Sequence, residues 1–112
     1  PDVVLSSDSQ RTTETYRRIG AFFPKAEVHF RRELYHAGIA EVRALLDLVP
    51  ASAETLMLVG HNPGWEELVT ALAKRRVEMK TAYAAVFESK AADFAGALAV
   101  GAPTSFVRLV TP

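Results

Sequence analysis

The chain has 112 residues, 49% of them hydrophobic, with 13 Lys and Arg balancing 13 Asp and Glu and no cysteine. These totals fit a single globular domain, 1–112, and both halves are charge-balanced, so nothing marks a nucleic-acid tail or a polybasic membrane patch. Disulfides and thiolate chemistry are excluded, which fits a cytoplasmic protein, and no apolar run approaches the roughly 18 residues that span a bilayer.

The chain opens Pro1-Asp2-Val3-Val4-Leu5-Ser6 without an initiator Met, so a processed chain or a fragment is expected. Val3–Ser6 reads as a short buried strand. Ser7, with Gln10 three residues on, has the spacing of a capping box. Thr12, Tyr16, Ile19 and Phe23 recur at helical spacing, and Pro24 stops the helix. Arg11 falls in the first turn, where the helix dipole disfavours a cation. That placement makes sense if an anion sits between the arginine and the helix end. Glu27–Phe30 reads as a second strand with Val28 and Phe30 on one face and His29 toward solvent. Arg31–Gly38 has no period and reads as a loop.

Ile39–Val49 is an amphipathic helix by its stripe of Ile39, Val42, Leu45, Leu46 and Val49, closed by Pro50. Ala51–Glu54 links it to the most apolar strand, Thr55–Val59. That strand ends in Gly60-His61. Asn62 can cap the following helix, with Pro63 at its first position, where a missing N–H costs nothing. Trp65, Leu68, Val69 and Leu72 form its buried face, and Lys74-Arg75-Arg76 suit a helix C-terminus. Val77–Tyr83 reads as a loop, Ala84–Glu88 as a strand, Ala91–Ala97 as a weak helix and Phe106–Val110 as a last strand. The alternation predicts an α/β sheet with helices on its faces. The closing strands lie too close together for full crossovers, so part of the sheet should be antiparallel.

His61 has two readings. A histidine in a tight turn commonly bonds only to backbone. Alternatively, Gly60 lets backbone approach a ligand, Asn62 and Gly64 supply helix-start donors, and the imidazole donates near neutral pH, a set that suits phosphate. Arg11 is either a solvated helix arginine or a guanidinium on the rim of the same anion pocket. Both residues follow strands, so they can converge. Ser6 and Ser7 could add donors, although capping already gives them a role. His36 and Glu33, in the loop after the second strand, are candidate general acids or ordinary loop polarity. The three histidines are scattered and no carboxylate stands at ligand spacing, so no metal site is expected.

Leu5-Ser6-Ser7, with Arg11 four residues after Ser7 and Thr15 four further on, resembles the Ser-Ser-x-x-x-Arg-x-x-x-Thr motif of the histidine phosphatase superfamily. Val59-Gly60-His61-Asn62-Pro63-Gly64 resembles its second signature, in the form typical of SixA-type phosphohistidine phosphatases. Glu33-Leu34-Tyr35-x-Ala37 and Val107-Arg108-Leu109-Val110-Thr111-Pro112 are similar to that branch as well. The resemblance covers the whole chain. It implies a three-layer α/β/α fold with a mostly parallel sheet, phosphoglycerate mutase-like and N-terminally incomplete.

The same resemblance implies hydrolysis of a phosphomonoester or a protein phosphohistidine through a phosphohistidine intermediate, without cofactor or metal. Arg11 is then the second arginine and His61 the assisting histidine, with Arg11, His61 and Asn62 around the phosphate. His36 falls at the position where many relatives carry a Glu general acid. The expected partners are a phosphorylated small molecule or a phosphohistidine-containing protein, with neither nucleic acid nor membrane. The nucleophilic Arg-His-Gly of the family is absent from these residues. A fragment lacking that strand, inactive alone, is the first expectation, and a non-catalytic phosphate- or phosphopeptide-binding module is the second. Loss of the strand would leave Val3–Leu5 and Leu56–Val59 without a neighbour, so marginal stability or self-association through exposed sheet edges is expected.

Overall fold

The computed structural model describes residues 1–99 and 101–112. Strand β1, Val3–Ser7, is buried along its whole length. It lies between β2, Glu27–Arg31, and β3, Leu56–Val59, and runs parallel to both, with Val4 opposite Val28 on one side and Met57 on the other. Parallel neighbours require crossovers. Helix α1, Gln10–Ile19, joins β1 to β2, and helix α2, Ile39–Ala44, lies between β2 and β3. After β3 come helix α3, Gly64–Ala73, strand β4, Ala84–Ser89, the single turn of α4, Phe94–Ala97, and strand β5, Thr104–Val110.

β4 and β5 form an antiparallel pair. The pair is a separate two-stranded sheet rather than an extension of the parallel one. A register shift at Val86 and Phe87 places Arg108 opposite Val86 and Phe106 opposite Phe87. Two cores result. Val3, Leu5, Leu34, Ala37, Val42, Leu46, Leu68 and Leu98 bury together under the parallel sheet. Val69, Val77 and Met79 bury beneath the hairpin, against Phe87 and Phe106. Leu68 and Val69 are adjacent in α3, so that helix joins the two cores.

Several local expectations change. The α1 N-cap is Ser9, whose side chain accepts from the Thr12 N–H, and β1 runs on through Ser7. Both serines suit a cap. Parallel pairing of Ser7 with Arg31 holds Ser7 in the sheet and leaves Ser9 for the helix. The second helix is shorter than its apolar stripe: α2 ends at Ala44 and a 3₁₀ turn, Leu46–Leu48, carries Leu46 into the core. On the edge strand β2, Phe30 is 41% exposed and meets Tyr16 edge-on, whereas His29 is half-buried. His29 Nε2 lies 3.2 Å from Glu27 Oε2 and is off line for a hydrogen bond.

Val3–Leu5 does not lose a neighbour, because β2 and β3 cover both its edges. The free edges of this sheet belong to β2 and to the more apolar β3. Its four residues are all half-buried, although Leu-Met-Leu-Val is the most apolar strand of the chain. At the other end of the sheet the Asp2 carboxylate accepts the N–H groups of Glu54 and Thr55 at 2.7 and 3.0 Å. Those bonds hold its pKa below the usual carboxylate value. Among the described residues no helix is long and apolar enough to cross a membrane.

Candidate active site

Because β1 and β3 are parallel and paired at Ser6 and Val59, their carboxyl ends deliver Ser7 and Gly60-His61 side by side. Open α/β sheets bind ligands at this edge. His61 Nε2 lies 3.1 Å from Ser7 Oγ and 3.2 Å from Ser9 Oγ. Ser9 Oγ is also 2.9 Å from Thr12 Oγ1, which donates to the Ser7 carbonyl at 2.6 Å. An interlocked set of hydroxyls thus fixes one nitrogen of the imidazole, with Ser7 and Thr12 buried beneath it. The His61 reading as a backbone-bonded turn residue is not what the side chain does.

Burial holds the His61 pKa below its ordinary 6.5, and the charges of His36 and Arg11 push it the same way. Arg11 is exposed in the first turn of α1, which contains no acidic residue. The ion pairs among the described residues, His29 with Glu27 and Lys80 with Glu78, do not involve it. Thr15 only returns its hydroxyl to the Arg11 carbonyl at 2.9 Å. His36 is exposed and its ring meets Tyr35 edge-on at 4.3 Å between centroids. Tyr35 in turn lies 5.2 Å from the His61 ring. Glu33 is exposed on the 3₁₀ turn Arg32–Leu34 and is not among the charges acting on His61.

Asn62, Gly60 and Gly64 each have a role within the fold. The Asn62 amide donates to the Met79 carbonyl at 2.5 Å and accepts the Glu66 N–H at 3.1 Å. Its side chain is thereby spent on tying the loop after α3 to the helix start. Asn62 bonds to the helix, but the cap position itself is Pro63, after a cis Asn62–Pro63 peptide. The Trp65 N–H is taken by the His61 carbonyl at 3.0 Å. Gly60 makes room for the Trp65 indole, whose Cζ2 would lie 2.6 Å from an added Cβ. Gly64 makes room for the Ala37 carbonyl oxygen, 1.8 Å from an added Cβ.

Ser9 and Tyr35 are the site residues that sequence reasoning missed as such. A signal for Ser9 was present in its spacing to Thr12, which fits an N-cap bonding the third helical N–H. The site therefore offers a guanidinium, an imidazole bonded to hydroxyls and a second exposed imidazole. That set can bind an oxyanion, stabilise charge as it develops and move a proton. Among the described residues no three His, Asp or Glu side chains group as a metal site.

No family model matches the chain. An uncharacterized chloroplastic protein of Arabidopsis thaliana is 30% identical over 113 residues, covering 92% of this chain and 52% of that protein. The chain thus spans about half the length of the curated relative it matches. A solved structure assigned as phosphohistidine phosphatase SixA from Nakamurella multipartitia superposes with a TM-score of 0.70 at 28% identity, over 99% of this chain and 70% of that one. Another, assigned likewise, from Agrobacterium tumefaciens, superposes at 0.69 over 100% of this chain and 68% of that one; at 23% identity it speaks to fold alone. The α/β architecture with its parallel sheet is therefore that of a SixA-type histidine phosphatase fold.

Proposed function

We propose that these residues form the phosphoryl-binding part of a phosphatase that hydrolyses a phosphomonoester or a protein phosphohistidine through a phosphohistidine intermediate. The observation that carries this reading is His61, fixed by the Ser7 and Ser9 hydroxyls within the influence of Arg11. Arg11 binds the equatorial phosphoryl oxygens, where a planar guanidinium makes paired contacts. His61 donates to the same oxygens and offsets the charge that builds on them in the transition state. His36 stands beside them as the proton donor to the leaving group.

The attacking histidine comes, in this proposal, from a strand outside residues 1–112 of a longer protein. It lies along the free edge of β3, which ends two residues before His61. The solved relatives, longer than this chain, leave room for such a strand. Residues 1–112 alone then bind phosphate without turnover. The substrate is a phosphorylated small molecule or a phosphohistidine-containing protein, and the cysteine-free chain accords with a cytoplasmic setting.

Calorimetric titration of residues 1–112 with vanadate tests the pocket. Arg11→Ala should weaken binding about tenfold to a hundredfold, the range for a charge-assisted contact. Unchanged binding would sink the reading. A non-catalytic phosphate-binding module predicts the same titration, and catalysis separates the two. The longer protein should form an acid-labile, base-stable phosphoenzyme from an aryl phosphate, and residues 1–112 should not. No phosphoenzyme on the longer protein would favour the binding module. A phosphoenzyme on residues 1–112 would place the nucleophile among their own histidines.

A further inference from the structure

An exposed aromatic ring stands beside His61. Leu34 is fully buried and anchors its segment in the core, but the next residue, Tyr35, is 46% exposed. Its ring is held by two imidazoles, edge-on to His36 at 82° and tilted over His61 at 55°, with centroids 4.3 and 5.2 Å away. The fold does not need an aromatic ring there for its core, since neither buried cluster includes Tyr35. Packing against His61 and His36 leaves the open part of the ring beside the groups that hold the phosphoryl oxygens. A flat π-system at that place can take a second flat group by offset or edge-to-face contact.

We propose that Tyr35 is a specificity-determining residue of this site, selecting phosphoryl groups carried on a planar aromatic leaving group, aryl or imidazolyl, over those carried on an alkyl chain. The proposal rests on the phosphoryl pocket of Arg11 and His61. The ring contributes to the leaving group and not to the phosphoryl oxygens, so the two parts of recognition are separable. His36 meets the same ring, so a leaving group lying on Tyr35 would sit next to an imidazole able to give it a proton.

The test uses residues 1–112 and three probes that are not turned over: inorganic phosphate, methylphosphonate and phenylphosphonate, titrated by calorimetry. Phenylphosphonate should bind about threefold to tenfold more tightly than methylphosphonate, the size of an aromatic pair beyond its area. Tyr35→Leu should remove that preference, read as the ratio of the phenylphosphonate and methylphosphonate affinities of the same variant; Tyr35→Phe should retain it. Leucine keeps apolar bulk at a half-exposed position, and an unchanged amide spectrum confirms the fold. Equal binding of the two phosphonates, or a preference that survives Tyr35→Leu, overturns the proposal. Phosphate binding that Arg11→Ala leaves unchanged overturns the pocket instead, a result that does not depend on Tyr35. Failure of all three probes to bind overturns both.

Discussion

His61 decides how the site answers an anion, because its charge is poised by its surroundings. Burial, His36 and Arg11 all favour the neutral ring. In the unfolded chain the imidazole takes up its proton as pH falls through its ordinary value, while in the fold it does so later. Native stability attributable to His61 is therefore full above about 6.5 and declines as pH falls from there through the lower folded pKa. A bound anion reverses the preference by stabilising the imidazolium. Sulfate, which does not titrate in this range, should bind residues 1–112 more tightly at about pH 5.5 than at about pH 7.5. His61→Gln should flatten that dependence, with His36→Gln as the control for the other imidazole facing the site. An undiminished pH slope in His61→Gln would refute the role given to His61. The residue types of this arrangement were legible in the sequence, since Arg11 in a first turn and a histidine after an apolar strand each break a local rule. The hydroxyl partners were not, because Ser7 and Ser9 suit the same cap and only strand pairing assigns one to the sheet.

Helix α3 is the element on which the site depends most, since it begins three residues after His61 and packs into both cores. Its first residue also fixes the position of Tyr35. The Ala37 carbonyl rests where a Gly64 side chain would stand, so the segment Leu34–Ala37 seats directly on the helix start. Gly64→Ala forces an overlap with backbone that no rotamer relieves. It should destabilise the fold by about 1–3 kcal/mol or more, read from the urea midpoint. Because Tyr35 and His36 move with that segment, it should also shift the His61 resonances. Gly38→Ala is the matched control: an added Cβ there meets nothing within 4 Å, and the change should stay within about 0.5 kcal/mol. Equal midpoints for the two variants would contradict the contact. Elements of this kind were readable from the chain because their periodicity is local. The seams between them were not. Gly60 makes room for Trp65 and Gly64 for Ala37, contacts between elements that spacing alone does not show.

At the scale of the whole molecule the sheet is interrupted. The parallel sheet ends at β3, and the hairpin of β4 and β5 stands apart from it, joined through α3. Strand pairing is non-local, so the sequence predicted the strands and a mixture of directions but not this division; it also left β1 open where the fold covers it on both edges. An uncovered apolar edge is a template for another strand. Residues 1–112 should therefore associate as concentration rises, with sedimentation velocity showing species beyond the monomer. Leu56 and Leu58 pack into the core from one face, and Met57 alternates to the other. Met57→Lys consequently sets a charge beside the open edge without cutting into that core, and should return the chain toward monomer. The longer protein, if its own strand occupies the edge, should be less prone to associate than residues 1–112. A sharp unfolding transition of a strict monomer, unchanged over a wide range of concentration, would show instead that the edge of β3 is adequately protected as it stands.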